Sequence, residues 1–292
     1  MRLVAFDHRG AARLGAVSGE EVVDLAEAAP GLPADLAALL RGGASALAAA
    51  AQAAGAAKPA ARRRLSELRL LPPIQHPGKI VCLGLNYIDH AAEGGHARPT
   101  YPSFFLRSAT SLVAPGAPVI RPRVSMQVDY EAELVAIVGR TARHVAKADA
   151  LAYIAGYSCF NDVSIRDYQR KTSQWTIGKN FDGSGPFGPL FVTADELPPG
   201  AAGLTIESRL NGKVMQHANT SDMLFPVDET VALLTECLTL EPGDLLVMGT
   251  PAGVGHARKP PVWMQDGDTI EVEIEKIGVL RNPVKDEERA GR

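Results

Sequence analysis

The stretch VDYEAELVAIVG, residues 128–139, carries carboxylates at alternate positions: Asp129, Glu131 and Glu133. Val128, Tyr130, Ala132 and Leu134 alternate with them, so the segment reads as a strand with its acids on one face. Neighbouring acids on such a face lie roughly 6.7 Å apart. At an effective dielectric of about 20 each such pair repels by about 2.5 kcal/mol, against about 0.6 kcal/mol in water. Two arrangements tolerate this: a half-exposed antiparallel strand with a solvated acidic face, or a cation lying across the acids. The apolar run Val135–Val138 argues for burial on both faces and so for the cation. Mg2+ and Mn2+ are hard ions that take carboxylate oxygens and water.

A second constellation lies in GLNYIDHAAEGGHARP, residues 84–99. His90 and Glu93 are three apart and share a face of any helical turn, which Gly94-Gly95 would end. A carboxylate bonded to an imidazole fixes its tautomer and raises its basicity, so the pair suits proton abstraction from water. A casual contact on a one-turn surface helix has the same spacing. Further along, Asp162 follows an apolar strand in CFNDVSIRDYQ, where a capping role is the plain alternative. Lys179 sits in the glycine- and aromatic-rich SQWTIGKNFDGSGPFGP, where a solvated surface lysine is the plain alternative.

These residues need a scaffold. The chain has 292 residues, a net charge of −3, and 46% hydrophobic against 22% charged residues, an ordinary globular balance that offers nucleic acid no basic surface. Cys82, Cys159 and Cys237 are odd in number and widely spaced, as expected of reduced thiols in a cytoplasmic protein. Neither a signal peptide nor a membrane span is expected. Residues 1–70 read as a small N-terminal α/β accessory domain: short strands, then an alanine-rich helical stretch broken at Gly42-Gly43 and Pro59. Proline-rich residues 71–78 read as a linker, 79–285 as the catalytic domain, and 286–292 as a polar tail. From Lys79 on, strands dominate, with a hairpin turn at Asn211-Gly212 and helical patterns in DALAYI and VDETVALLTECLT. The fold class is therefore α+β and strand-rich rather than doubly wound. GTPAGVG, residues 249–255, has glycines spaced like a nucleotide loop but no GK[ST] ending, so a phosphate cradle is not expected.

Taken together, GLNYIDHAAE, FFLRSATSLV, DYEAELVAIVG, GYSCFNDVSIRDYQ, WTIGKNFD, GPFGP, LEPGDLLVMGTPAGVG and GDTIEVEIEKIGVLRNPV resemble the fumarylacetoacetate hydrolase family, in the family's order and over about 78–285. The resemblance implies a mixed β-sandwich roll, one Mg2+ or Mn2+ per chain, and a homodimer. It implies Glu131, Glu133 and Asp162 as metal ligands, Asp129 behind them, and His90 with Glu93 as a water-activating dyad. Lys179 would stabilise developing negative charge. Arg166, Gln169 and Thr250 would face substrate. Arg107 stands where many members have lysine and would also face substrate, hinting at a distinct preference.

The activity expected from this resemblance is metal-dependent hydrolysis of a C–C bond in a small β-diketo acid of the acylpyruvate or fumarylpyruvate type, giving pyruvate and a carboxylic acid, as in aromatic catabolism. The alternative within the same family is isomerisation or decarboxylation of hydroxymuconate-like or oxaloacetate-like acids, which needs no attacking water. A non-catalytic metal-binding protein is a third reading. The partner expected is a small keto acid, with neither nucleic acid nor membrane.

Overall fold

The computed structural model describes residues 1–95 and 97–288. Of the tail expected at 286–292, Asp286 closes the last strand, and 289–292 lie outside the described residues.

The strand Ala132–Val138 lies at the centre of a twelve-stranded sheet and is buried at every position. Antiparallel Ile154–Asn161 flanks it on one side and Leu245–Val247 on the other. Beyond Leu245–Val247 come Ile80–Gly84, which pairs in parallel, and Ser103–Arg107 at the end of the path. An all-apolar run has this environment when both sheet faces are covered. Leu134, Ala136 and Val138 pack towards Ile206, Val272 and Leu280 of a five-stranded sheet and towards the helix Val227–Cys237. Val135 and Ile137 point the other way, onto Leu36, Leu39 and Ala50.

Those last residues belong to the alanine-rich stretch. It forms two helices, Leu36–Arg41 and Gly43–Gly55, with Asp35 capping the first through the Ala38 N–H. Alanine helices bury little area per residue, so the contact rests on the leucines; each fully buried leucine contributes about 1.5–3 kcal/mol. The N-terminal strands also extend the large sheet. Arg2–His8 pairs with Gly185–Thr193, which pairs in turn with Ile154–Asn161. The structure thus belongs to the strand-rich α+β class, with two packed sheets at its core.

Two readings of the strand pattern change. Residues 128–139 are not one strand: Val128–Asp129 pairs with Ser164–Ile165, and a separate strand starts at Ala132. The break falls at Tyr130, whose ring is buried in a third apolar cluster with Val163 and Met264. TIEVEIEKIGVLRN is likewise two strands, Thr269–Ile274 and Gly278–Asp286, turning at Lys276 with φ 63°. The Asn211-Gly212 hairpin forms as its sequence predicts, and DALAY lies in a 3-10 helix, Lys147–Tyr153, with Ile154 opening the next strand. All three cysteines are free thiols. Among the described residues, no helix is long and apolar enough to cross a membrane.

Asn86 ties the scaffold to the site. It is fully buried, and its side chain accepts from the Phe225 N–H (2.8 Å) and donates to Phe225 O (3.1 Å) and Met248 O (2.7 Å). Asn86→Ala leaves the Phe225 N–H and Met248 O without a partner, while Phe225 O keeps the Thr230 hydroxyl (3.2 Å). Each unpaired group costs about 1–3 kcal/mol, so chemical denaturation should show a loss of at least about 2 kcal/mol. A loss near zero would mean that water replaces the amide.

Candidate metal centre and active site

The broken strand explains how the acids gather. Glu131 follows the break, held by its N–H on Asn161 Oδ1 (3.0 Å), while the Asp162 N–H donates to Glu131 O (2.9 Å). Glu133 lies two residues further along the central strand. Carboxylate oxygens of Glu131, Glu133 and Asp162 all lie within 4.8 Å of one another, and all three residues are buried. Asp129 lies before the break and serves another purpose. It accepts from the N–H groups of Tyr130 (2.9 Å), Gly255 (2.7 Å) and His256 (3.0 Å), and from Arg166 Nε (2.8 Å).

Three buried cations answer these acids. Lys179 Nζ donates to Glu131 Oε2 and Asp162 Oδ2. Arg166 bridges Asp129 and Glu131, its Nη2 lying 2.6 Å from Glu131 Oε1. Arg107 Nη1 donates to Asp162 Oδ1, and its Nη2 to Ser184 Oγ (2.8 Å). Burial alone would raise the Glu131 pKa, but Lys179 and Arg166 outweigh it and hold the carboxyl well below its usual range. Glu133 differs. Burial, then the charges of Asp162 and Glu131, push its pKa well up. Its one polar contact is the Gly249 N–H at 2.6 Å, and among the described residues it forms no ion pair.

The donor set suits a divalent cation. The three clustered groups are hard oxygen donors, and one of them is buried without positive charge of its own. Glu131, Glu133 and Asp162 are therefore the residues that would hold the ion.

These groups line a cavity of about 430 Å3, at the small end of small-molecule sites. His90, Gln169 and Thr250 line it too. The His90 dyad forms on the helix Ile88–Glu93: Nδ1 is 2.8 Å from Glu93 Oε1, and Glu93 Oε2 accepts from the Gly253 N–H at 2.9 Å. Gln169 Oε1 accepts from Arg166 Nη1 at 2.9 Å. Phe105 and Trp175 close an apolar side, edge to face at 5.7 Å.

One expected substrate contact is placed differently. Arg107 has a fully buried side chain, turned away from the cavity onto Asp162 and over the Phe160 ring. It positions a metal carboxylate, and the hint of a distinct substrate preference falls away with it. The Thr250 hydroxyl is already engaged, donating to Ala132 O (2.9 Å) and accepting from Gln216 Nε2 (2.7 Å).

The loop set aside as a phosphate cradle does bind anions, namely the site's own carboxylates. Gly249, Gly253 and Gly255 direct their N–H groups at Glu133, Glu93 and Asp129. Glycine is required at 255, where a Cβ would run into Val262 O and Asp129 Oδ1. The same loop presents His256, a cavity residue absent from the expected set, with Nδ1 3.1 Å from Asp129 Oδ2. No local spacing marks it, because its partner lies 127 residues away.

With this geometry in view, the chain can be set beside known proteins. Residues 79–285 match the family model "Fumarylacetoacetate (FAA) hydrolase C-terminal", and the chain belongs to the fumarylacetoacetate hydrolase family. It is 39% identical over 289 residues to the mitochondrial oxaloacetate tautomerase Fahd2a of Rattus norvegicus, covering 97% of this chain and 91% of the relative. Its structure is similar to that of a fumarylacetoacetate hydrolase from Exiguobacterium antarcticum, with TM-score 0.85 and 36% identity over 98% of this chain and 100% of the other. It also resembles the maleylpyruvate hydrolase of Sphingobium sp. SYK-6 in complex with manganese(II) ion and pyruvate, with TM-score 0.78 and 31% identity over 99% of this chain and 100% of that one.

The unpaired Glu133 gives a test. Glu133→Gln keeps the neutral form that burial and the charges of Asp162 and Glu131 favour without metal, so the metal-free variant should melt no lower than wild type. Added Mg2+ or Mn2+ should raise the melting temperature of wild type and leave the variant nearly unmoved. A variant less stable without metal, yet equally stabilised by it, would remove Glu133 from the ligand set.

Proposed function

We propose that this protein is a divalent-metal-dependent tautomerase or isomerase of small oxaloacetate-like 2-oxo acids. The observation that carries the reading is the held His90–Glu93 dyad beside the acid triad, in a chain 39% identical to an oxaloacetate tautomerase over nearly its whole length. Keto and enol forms interconvert when a proton leaves the carbon next to the keto group and another is gained at oxygen. His90 is the base: with Nδ1 donating to Glu93, Nε2 carries the lone pair and accepts the proton at carbon. Glu93, anchored by the Gly253 N–H, fixes the ring and steadies the imidazolium. The Gln169 amide nitrogen, its oxygen being held by Arg166, is free to orient a substrate carboxylate. Phe105 and Trp175 keep bulk water from one side. When bound by Glu131, Glu133 and Asp162, the cation supplies Lewis-acid polarisation of the keto group.

Hydrolysis of acylpyruvates, the activity first expected, is the second reading; the likeness to maleylpyruvate hydrolase favours it, and the same dyad would then deprotonate water. A small keto acid as partner, Mg2+ or Mn2+ as the ion, a homodimeric assembly and a cytoplasmic location belong to the same proposal.

The test is enol absorbance decay of oxaloacetate with chelated and Mg2+- or Mn2+-loaded protein, alongside pyruvate release from an acylpyruvate panel. Metal-dependent tautomerisation with inert acylpyruvates is the expected result. Pyruvate release with unchanged oxaloacetate kinetics would move the assignment to hydrolase. His90→Ala should lower turnover by about 10²–10⁴-fold. It should keep the metal-induced rise in melting temperature, and loss of that rise would place His90 in the metal site instead.

A further inference from the structure

Four buried carboxylates in the site, Asp129, Glu131, Glu133 and Asp162, face three buried cations, Arg107, Arg166 and Lys179. Each of these cations is committed to one or two of the acids, so none is free to bind a substrate carboxylate without stripping a buried acid of its partner. A bound divalent ion, with all four acids ionised, would leave these groups one net positive charge. A further cation, on an exposed side chain, lines the cavity. Arg170 follows the short helix Arg166–Gln169, its backbone N–H capping Arg166 O at 3.1 Å. Among the described residues its guanidinium forms no ion pair and no hydrogen bond. The neighbouring Lys171 is not a rival, since its ammonium lies over the Tyr168 ring at 3.4 Å, outside the cavity lining.

We infer that Arg170 is the specificity-determining residue of this site, binding the second carboxylate of a dianionic 2-oxo acid whose first carboxylate and keto group lie at the acid triad. Charge supports it: Arg170 brings the cavity a positive charge that no carboxylate pairs among the described residues. Burial and then the nearby Arg166 depress the Arg170 pKa, and the charge of Asp129 offsets only part of this. Its planar fork suits a carboxylate. The inference rests on the reading above that a 2-oxo acid occupies the cavity, and adds which kind.

The experiment compares oxaloacetate with 2-oxobutanoate, which has a methyl group in place of the distal carboxylate. Binding is measured calorimetrically on the Mg2+-loaded full chain, and KM and kcat are measured for oxaloacetate. Arg170→Ala should weaken oxaloacetate at least about tenfold, the scale of one charge-assisted hydrogen bond. It should raise KM more than it lowers kcat and leave 2-oxobutanoate binding in place. Arg170→Lys should recover part of the loss. Equal loss on both acids, or loss on neither, overturns the inference, as does a wild type that prefers 2-oxobutanoate. Tautomerisation of oxaloacetate untouched by Arg170→Ala would sink this inference and leave the proposed function standing. Arg170-dependent oxaloacetate binding without tautomerisation would do the reverse.

Discussion

Carboxylates taken out of water repel one another, and this repulsion governs the site. Two acids 4.8 Å apart cost about 3.5 kcal/mol at an effective dielectric of about 20. A cluster of three therefore carries a penalty near the whole net stability of an ordinary domain, about 5–15 kcal/mol. The surrounding groups offset it. Lys179 and Arg166 neutralise Glu131 from two sides, Arg107 approaches Asp162 from behind, and a backbone N–H reaches Glu133. The compensation is incomplete at Glu133, and a cation lying across the three acids would complete it.

The glycine-rich loop meets the same constraint with partial charges instead of full ones. Three of its N–H groups end on three different carboxylates, one each for the acid triad, the His90 dyad and Asp129. Backbone donors add no side chains that would fill a small cavity. They demand close approach, hence glycine at 255, and an unusual turn, hence glycine at 253 with φ 104°. One loop thereby sets the relative positions of the His90 dyad and the acid triad. Asn86 secures its far side by gripping the Met248 carbonyl just ahead of it.

Much of this was legible from residue types. The alternation of Glu131 and Glu133 and the three-residue spacing of His90 and Glu93 are local patterns, and local patterns survive folding. The unbroken apolar run 135–138 correctly signalled a strand covered on both faces. What escaped was set by distant partners. Whether Tyr130 continues a strand or breaks it depends on a cluster built from Val163 and Met264. Arginine at 107 is chemically as apt for substrate as for Asp162, and only the chain 55 residues on decides between them. His256 and Arg170 carry no spacing signal; both matter because the fold brings them to one cavity.

The pairing of Arg2–His8 with Gly185–Thr193 bears on how such a chain can be shortened or recombined. The matched segment 79–285 looks like a self-sufficient cassette, yet the edge of Gly185–Thr193 is covered by the N-terminus, and the back of the sheet by Leu36 and Leu39. Cut free, that cassette would show an open strand edge beside an apolar face, the combination that templates edge-to-edge aggregation. The first seventy residues thus cover both the edge and the back of the matched segment. Grafting the active-site half onto another leader would succeed only with one that brings its own edge strand.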